Sequence, residues 1–280
     1  MNLQSDMHGI HDLLIGCDFS CSPSRRKPIV MAEGTVAKGR VLLSGFERLE
    51  SLDRFDAWLL QKRRWVGAFD FPFGLPRELV VHLGWPLQWL ELMGHYASLS
   101  RADIRTTFAA FCNARPVGQK FAHRTTDGPS GASPSMKWVN PPVAYMLHAG
   151  VPRLLAAGVH LPGLHDGDRE RVALEGYPGL LAREILGNRS YKSDDRAKQT
   201  PERLIARKDL ITALEHGQTR LALRLKVSHA QRDTLVDDAS GDSLDAVLCL
   251  LQAAWAAQQG GPAYGLPANM DALEGWTVTA

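Results

Sequence analysis

The feature that most constrains this chain is a form that occurs three times: a short apolar run, one carboxylate, and then a turn. The first is Leu13-Leu14-Ile15-Gly16-Cys17-Asp18, leading into Phe19-Ser20-Cys21-Ser22-Pro23. The second is Trp65-Val66-Gly67-Ala68-Phe69-Asp70, leading into Phe71-Pro72-Phe73-Gly74-Leu75-Pro76. The third is Arg171-Val172-Ala173-Leu174-Glu175, leading into Gly176-Tyr177-Pro178. Apolar runs of this length bounded by turn residues read as buried strands. A carboxylate at the end of such a strand has no packing role, because burying an unpaired charge is costly. Its recurrence suggests acids converging at one edge of a sheet.

The rest of the chain supplies the elements such a sheet needs. Ile29-Val30-Met31-Ala32 and Arg40-Val41-Leu42-Leu43-Ser44 read as two further strands, and their short connections make an antiparallel meander with the first. Residues 49–64 place apolar side chains at Leu52, Phe55, Leu59 and Leu60, a helical spacing with a charged opposite face. A helix between that meander and the Asp70 strand is a crossover, which lays the Asp70 strand parallel to the Asp18 strand with both acids at the same end. Residues 76–114 read as two helices broken at Gly84-Trp85-Pro86. A polar basic segment follows over 115–140, then a helix over 141–158. We read residues from about 77 to 168 as a helical insertion that adds no strand, within a single domain spanning 1–280. A charged helix is expected over 201–216, and a last, almost wholly apolar helix from 241 to about 257. Residues 275–278 are a candidate edge strand. The group Trp65, Trp85 and Trp89 reads as packing.

Composition narrows the function classes. A chain of 280 residues with 45% hydrophobic and 22% charged residues is that of a soluble globular protein. No apolar run approaches the ~20 residues that span a bilayer, so no membrane partner is expected. Residues 1–12 carry Asp6 and Asp12 and no basic-then-apolar export pattern, which makes the cytoplasm the expected location. The four cysteines, Cys17, Cys21, Cys112 and Cys249, are too scattered for a disulfide framework. Cys17 and Cys21 could form half a metal site, but no second Cys or His pair completes it, so they read as one core and one loop cysteine. The net charge of +2 neither demands nor excludes nucleic acid.

Collected, the acids are Asp18, Asp70 and Glu175 at strand ends and Asp242 and Asp245 on the first turn of the last helix, three residues apart and so on one face. Carboxylates held together repel unless neutralised. Their hard oxygens suit Mg²⁺ or Mn²⁺, and two such ions ~4 Å apart can support phosphodiester hydrolysis. Loop cations Arg25, Arg26, Lys27, Lys120, Arg124, Lys137, Lys192 and Arg196 could hold a polyanionic backbone. Simpler roles exist for each residue taken alone. Asp242 reads equally as a helix cap and Asp245 as an ordinary first-turn acid. Asp70 could form a turn, Glu175-Gly176 could begin one, and His123 and the basic residues could be solvated surface.

The order of elements resembles the ribonuclease H-like fold, and Gly241-Asp242-Ser243-Leu244-Asp245-Ala246-Val247-Leu248 resembles the final metal-ligand helix of Holliday-junction resolvases in that superfamily. More specifically, the chain resembles the family called domain of unknown function 429, predicted nucleases of that superfamily. The matching pieces are Gly16-Cys17-Asp18-Phe19-Ser20, Asp70-Phe71-Pro72-Phe73-Gly74-Leu75-Pro76, His123-Arg124-Thr125-Thr126-Asp127, Glu175-Gly176-Tyr177-Pro178, Tyr191-Lys192, Asp242-Ser243-Leu244-Asp245-Ala246 and Glu274-Gly275-Trp276. Cys17 and Cys21 depart from the small or apolar residues expected there. The resemblance implies an α/β fold with a mixed five-stranded sheet, three antiparallel strands plus two parallel, flanked by helices. Carried over by position, it implies Asp18, Asp70, Glu175, Asp242 and Asp245 as the catalytic acids, with Asp18, Asp70, Asp242 and Asp245 as the metal ligands. His123, Arg124 and Lys192 match motif positions with no assigned role, and we expect them to contact substrate. The expected activity is Mg²⁺- or Mn²⁺-dependent hydrolysis of a nucleic acid, with two ions. The alternatives are an actin-like nucleotide-binding phosphotransferase, disfavoured by the absence of Gly from Asp18-Phe19-Ser20-Cys21-Ser22, and a non-catalytic nucleic-acid or protein-binding module.

Overall fold

A computed structural model describes residues 13–280; the reading of residues 1–12 as free of an export signal lies outside them. The described strands are β1 (Leu13–Asp18), β2 (Ile29–Ala37), β3 (Arg40–Leu49), β4 (Trp65–Phe69), β5 (Val159–His160), β6 (Asp168–Glu175) and β7 (Arg224–Lys226). The helices are α1 (Leu52–Leu59), α2 (Arg77–His82), α3 (Trp89–Ser98), α4 (Arg101–Asn113), α5 (Asp127–Ser130), α6 (Val143–Ala156), α7 (Pro178–Leu186), α8 (Pro201–His216), α9 (His229–Asp237) and α10 (Asp242–Gln259). The fold is α/β, on one mixed sheet of order β5-β6-β4-β1-β2-β3-β7.

β1, β2 and β3 form the antiparallel meander, and β4 lies parallel to β1, as a helical crossover through α1 requires. β6 is parallel to β4, β5 to β6, and β7 to β3. Among the described residues seven strands, not five, make the sheet. The two additional strands are edge strands of two and three residues, too short to show a period-2 pattern in sequence. One of them, β5, belongs to the insertion, which therefore does contribute to the sheet. The insertion has three helices before residue 114 rather than two, because Leu99-Ser100 ends α3 and Ser100 opens α4 with a capping box to Asp103. The expected edge strand at 275–278 is reduced to a single bridge between Glu175 and Thr277.

Two cores cover the two faces of the sheet. Ile15, Cys17, Trp65, Phe69 and Ala173 pack with α1 and the insertion helices, through Phe55, Trp58, Leu79, Trp89, Ile104 and Leu147. Leu14, Val66, Ala68, Val172 and Leu174 pack with α7 to α10. Alternating side chains along a strand point to opposite faces, so each central strand feeds both cores and reads as a continuous apolar run. All four cysteines are free and buried; Cys17 lies within β1 and Cys21 in the loop that follows it, as the sequence suggests.

α10 sits directly on the middle of the sheet. A Cβ on Gly16 would lie 1.9 Å from the Ala246 carbonyl oxygen and 2.2 Å from the Leu250 amide nitrogen, so glycine alone permits this approach. Almost the whole helix is buried, and its mid-helix Gln252 accepts from the Tyr177 N–H at 2.9 Å while donating to the Val278 carbonyl at 3.1 Å and the Thr279 hydroxyl at 3.0 Å. A buried amide with its partners supplied ties α10 to the chain beyond β6 and to the C-terminus.

Candidate metal centre

The periodicity of the strands decides which acids meet. Asp18 follows Leu14 and Gly16 in alternation, and Asp70 follows Val66 and Ala68, so both carboxylates project toward α10. Their strands are in register, with Cys17 opposite Phe69 and the Asp70 N–H donating to the Cys17 carbonyl at 2.9 Å. The close packing of α10 at Gly16 then brings its first turn, with Asp245, to the same place. One carboxylate oxygen each from Asp18, Asp70 and Asp245 lies within 4.8 Å of the other two. Among the described residues, no other group of three acidic, His or Cys side chains converges in this way.

Asp245 is fully buried, whereas Asp18 and Asp70 keep a partial exposure. Asp245 accepts from the Tyr191 hydroxyl on one oxygen and pairs with the Lys192 ammonium on the other. Asp242 is buried one turn earlier and pairs with Lys27 at 2.7 Å, which also reaches Asp194 at 2.8 Å. Asp242 therefore stands beside the triad as the partner of a lysine, outside the group that could share an ion.

Electrostatics show what the cluster lacks. Burial, and after it the carboxylates of Asp245 and Asp242, hold Asp18 well above the usual carboxylate range. Burial, then Asp245, pushes Asp70 up to about 7. Asp245 is raised as well, its burial outweighing the adjacent Lys192. Lys192 is held well above its ordinary value, because Asp245 beside it overcomes a burial that disfavours the ammonium. With Lys27 taken up by Asp242 and Asp194, the three carboxylates of the triad face one ammonium group, Lys192, an excess of two negative charges when all are ionised. That excess matches one divalent cation, and an all-oxygen donor set suits a hard one. The residues present fit Mg²⁺ or Mn²⁺.

Glu175 lies elsewhere. It pairs in register with Phe69, one position before Asp70, and so falls on the opposite face, toward the insertion. There its two oxygens take the two terminal Arg124 guanidinium nitrogens, at 2.7 and 2.8 Å, the Phe73 N–H at 2.8 Å and the Thr277 hydroxyl at 2.8 Å. Arg124 is itself buried and also bonds Asp127 at 3.0 Å and the Glu274 carbonyl at 3.0 Å. These two expectations change together: Glu175 stands outside the triad with its oxygens met by four donors, and the buried Arg124 is engaged by Glu175, Asp127 and Glu274 at the wall of a neighbouring cavity. Their pairing anchors the insertion and the C-terminal segment to the sheet. His123 is exposed and lies 4.0 Å from Asp127, away from the triad. Lys192 is the one expected substrate contact at the site, paired with Asp245 through a side chain that is 42% exposed.

Sequence reasoning assigned no role to Tyr191, although Tyr191-Lys192 stood out as a motif, and it placed Lys27 only among loop cations. Nothing local marks a loop residue as the partner of a carboxylate more than fifty positions away. The glycine that ends the preceding loop does carry a signal. Gly241 has a φ of +80°, and a Cβ there would lie 2.7 Å from Lys192 Cβ, so the lysine stem lies across it.

Comparison with family models, curated proteins and solved structures finds no match to this chain. Among the described residues, no helix is long and apolar enough to cross a membrane.

Proposed function

We propose that the chain is a divalent-metal-dependent phosphodiester hydrolase acting on nucleic acid, built on a ribonuclease H-like sheet. The observation that carries this reading is the convergence of Asp18, Asp70 and Asp245 from two parallel strand ends and a helix start. β1 to β4 and β6 supply three antiparallel and two parallel strands, which supports the fold part of the reading. The carboxyl ends of parallel strands are where open α/β sheets bind ligands.

Asp18, Asp70 and Asp245 are the residues that would hold the ion. The ion when bound would activate a water and neutralise charge on the leaving oxygen. Tyr191 orients Asp245 through its hydroxyl. Lys192 neutralises Asp245 in the metal-free protein, and once released its ammonium is placed to meet a phosphate oxygen. Lys27 does the same for Asp242 at the outer edge. The triad provides for one ion, and a second would need Asp242 to give up Lys27.

The test is calorimetric titration of the metal-free protein with Mn²⁺ beside Asp18→Asn, followed by a Mn²⁺-dependent cleavage screen on single- and double-stranded oligonucleotides. Saturable binding lost in the variant, together with a folded and more stable variant, is the expected result. Wild-type Mn²⁺ affinity in Asp18→Asn would remove the triad from the mechanism. Oligonucleotide binding that is equal in EDTA and Mn²⁺, without cleavage, would make the chain a binding module instead.

A further inference from the structure

Beside the triad is a cavity of about 440 Å³, within the size range of small-molecule sites. It shares Asp70 and Lys192 with the metal centre and continues away from it between the insertion and α7. Its walls include Phe71, Val143, Met146 and Pro178, and the charges within it cancel, because Arg124 and Glu175 are paired there. Arg183, Arg189 and Lys192 stand around it. An uncharged occupant inside with an anionic neighbour outside fits that distribution.

The wall also carries an aromatic plane fixed from several sides. Tyr177 is partly exposed, and its backbone N–H is held by Gln252. Its hydroxyl accepts from Arg183 at 3.2 Å, and that guanidinium lies 5.2 Å from the ring centre. The ring rests over Gly179, where a Cβ would come within 2.8 Å of it. Arg183 is braced in turn by the Ser130 carbonyl at 2.6 Å, and at Gly131 a Cβ would lie 2.7 Å from the same guanidinium. A ring held in place in advance loses little freedom when a flat ligand stacks on it.

We propose that this cavity receives one unpaired nucleobase, stacked on Tyr177, so that the substrate is single-stranded nucleic acid or a nucleotide displaced from a duplex. The assignment of the neighbouring phosphate to the triad rests on the hydrolase reading; the cavity, its aromatic plane and its basic surround do not. A base inside a duplex is stacked and paired and cannot enter such a pocket. Stacking on an aromatic ring is tolerant of base identity, so the site selects strandedness before sequence.

The test is fluorescence anisotropy in EDTA, where hydrolysis does not consume the probe, with a fluorescein-labelled thymidine tetranucleotide and an abasic tetranucleotide carrying the same phosphates. The wild-type protein should bind the base-bearing probe at least tenfold more tightly. Val143→Trp, which fills the cavity from a partly exposed position, and Tyr177→Ala, which removes the plane, should bring it to the abasic affinity with Mn²⁺ binding unchanged. Equal affinity for the two probes, no binding of either, or a base preference retained by folded Val143→Trp would overturn the proposal. Absence of Mn²⁺ binding beside a preserved base preference would refute the hydrolase reading alone.

Discussion

The metal-free protein should lose stability as the pH rises through the range in which its clustered carboxylates resist ionisation. Asp70 titrates at about 7 in the fold, against about 3.9 in an unfolded chain. Between those values the native state keeps a proton that the unfolded state has released. Unfolding free energy changes with pH in proportion to protons bound by the unfolded state minus those bound by the native state, so stability falls from about pH 4 to about pH 7 and levels off above. The gap corresponds to ~4 kcal/mol for Asp70 at full extent. The partial exposure of its carboxylate trims this, leaving roughly 2 kcal/mol between pH 5 and pH 8. Asp18 and Asp245 are raised in the same direction and steepen the fall.

For a chain of this size a loss of 2 kcal/mol lowers the Tm by about 4 °C. Differential scanning calorimetry in EDTA across pH 5 to 8 reads this directly. Saturating Mn²⁺ should reverse the trend, because binding requires the ionised carboxylates and its stabilisation grows as they form. Asp70→Asn should make the EDTA profile shallower, since it removes one of the groups that titrate. A Tm in EDTA that rises from pH 5 to pH 8, or an Asp70→Asn profile parallel to the wild-type one, would refute the reasoning.

Two further outcomes follow from packing. Gly16→Ala should displace α10 from β1 at a cost of at least ~1–3 kcal/mol and lower Mn²⁺ affinity more than tenfold, while Gly45→Ala, where a Cβ meets nothing within 4 Å, should change neither; denaturation curves and calorimetry check both. Glu175→Gln should leave Mn²⁺ affinity intact, and Arg124→Ala should cost ~3–5 kcal/mol in urea denaturation by leaving two buried carboxylates unpaired, whereas a Mn²⁺ affinity that fell with Glu175 would return that residue to the metal centre.

Much of the fold was legible because it rests on local signals that recur. β1 to β4 and β6 announced themselves as apolar runs between turn residues, and α8 and α10 as helices with a glycine at one boundary. The parallel pairing of β1 and β4 followed from the helix between them, and with it the meeting of Asp18 and Asp70. β5 and β7 were not legible, because two or three residues at a sheet edge carry no period and owe their pairing to tertiary packing. Tyr191 and Lys27 were not legible as partners of Asp245 and Asp242, because loops place them and no spacing records it. The error over Glu175 has a related cause, because a strand buried on both faces is apolar throughout and shows no alternation to count. Only the register, with Phe69 rather than Asp70 opposite Glu175, puts that acid on the other face.

That single position divides the work of the sheet between its two sides. On the α10 side, carboxylates lacking enough positive partners meet at Asp18, Asp70 and Asp245, where a bound cation would relieve them. On the insertion side, Glu175 is supplied with four donors and relieves the charge of Arg124, which in turn holds Asp127 and the Glu274 carbonyl. One acid is saturated by the protein and the others are left short, although all three strand ends have the same form in sequence. A saturated carboxylate stiffens the structure, and an unsaturated cluster stores repulsion that a ligand can release. The cavity with Tyr177 opens where the two sides part, between Asp70 and Glu175, so its floor is rigid and neutral while its mouth reaches the charged cluster. Measurement of Mn²⁺ binding and of base preference on the same set of variants therefore tests whether that division of charge is the origin of both sites.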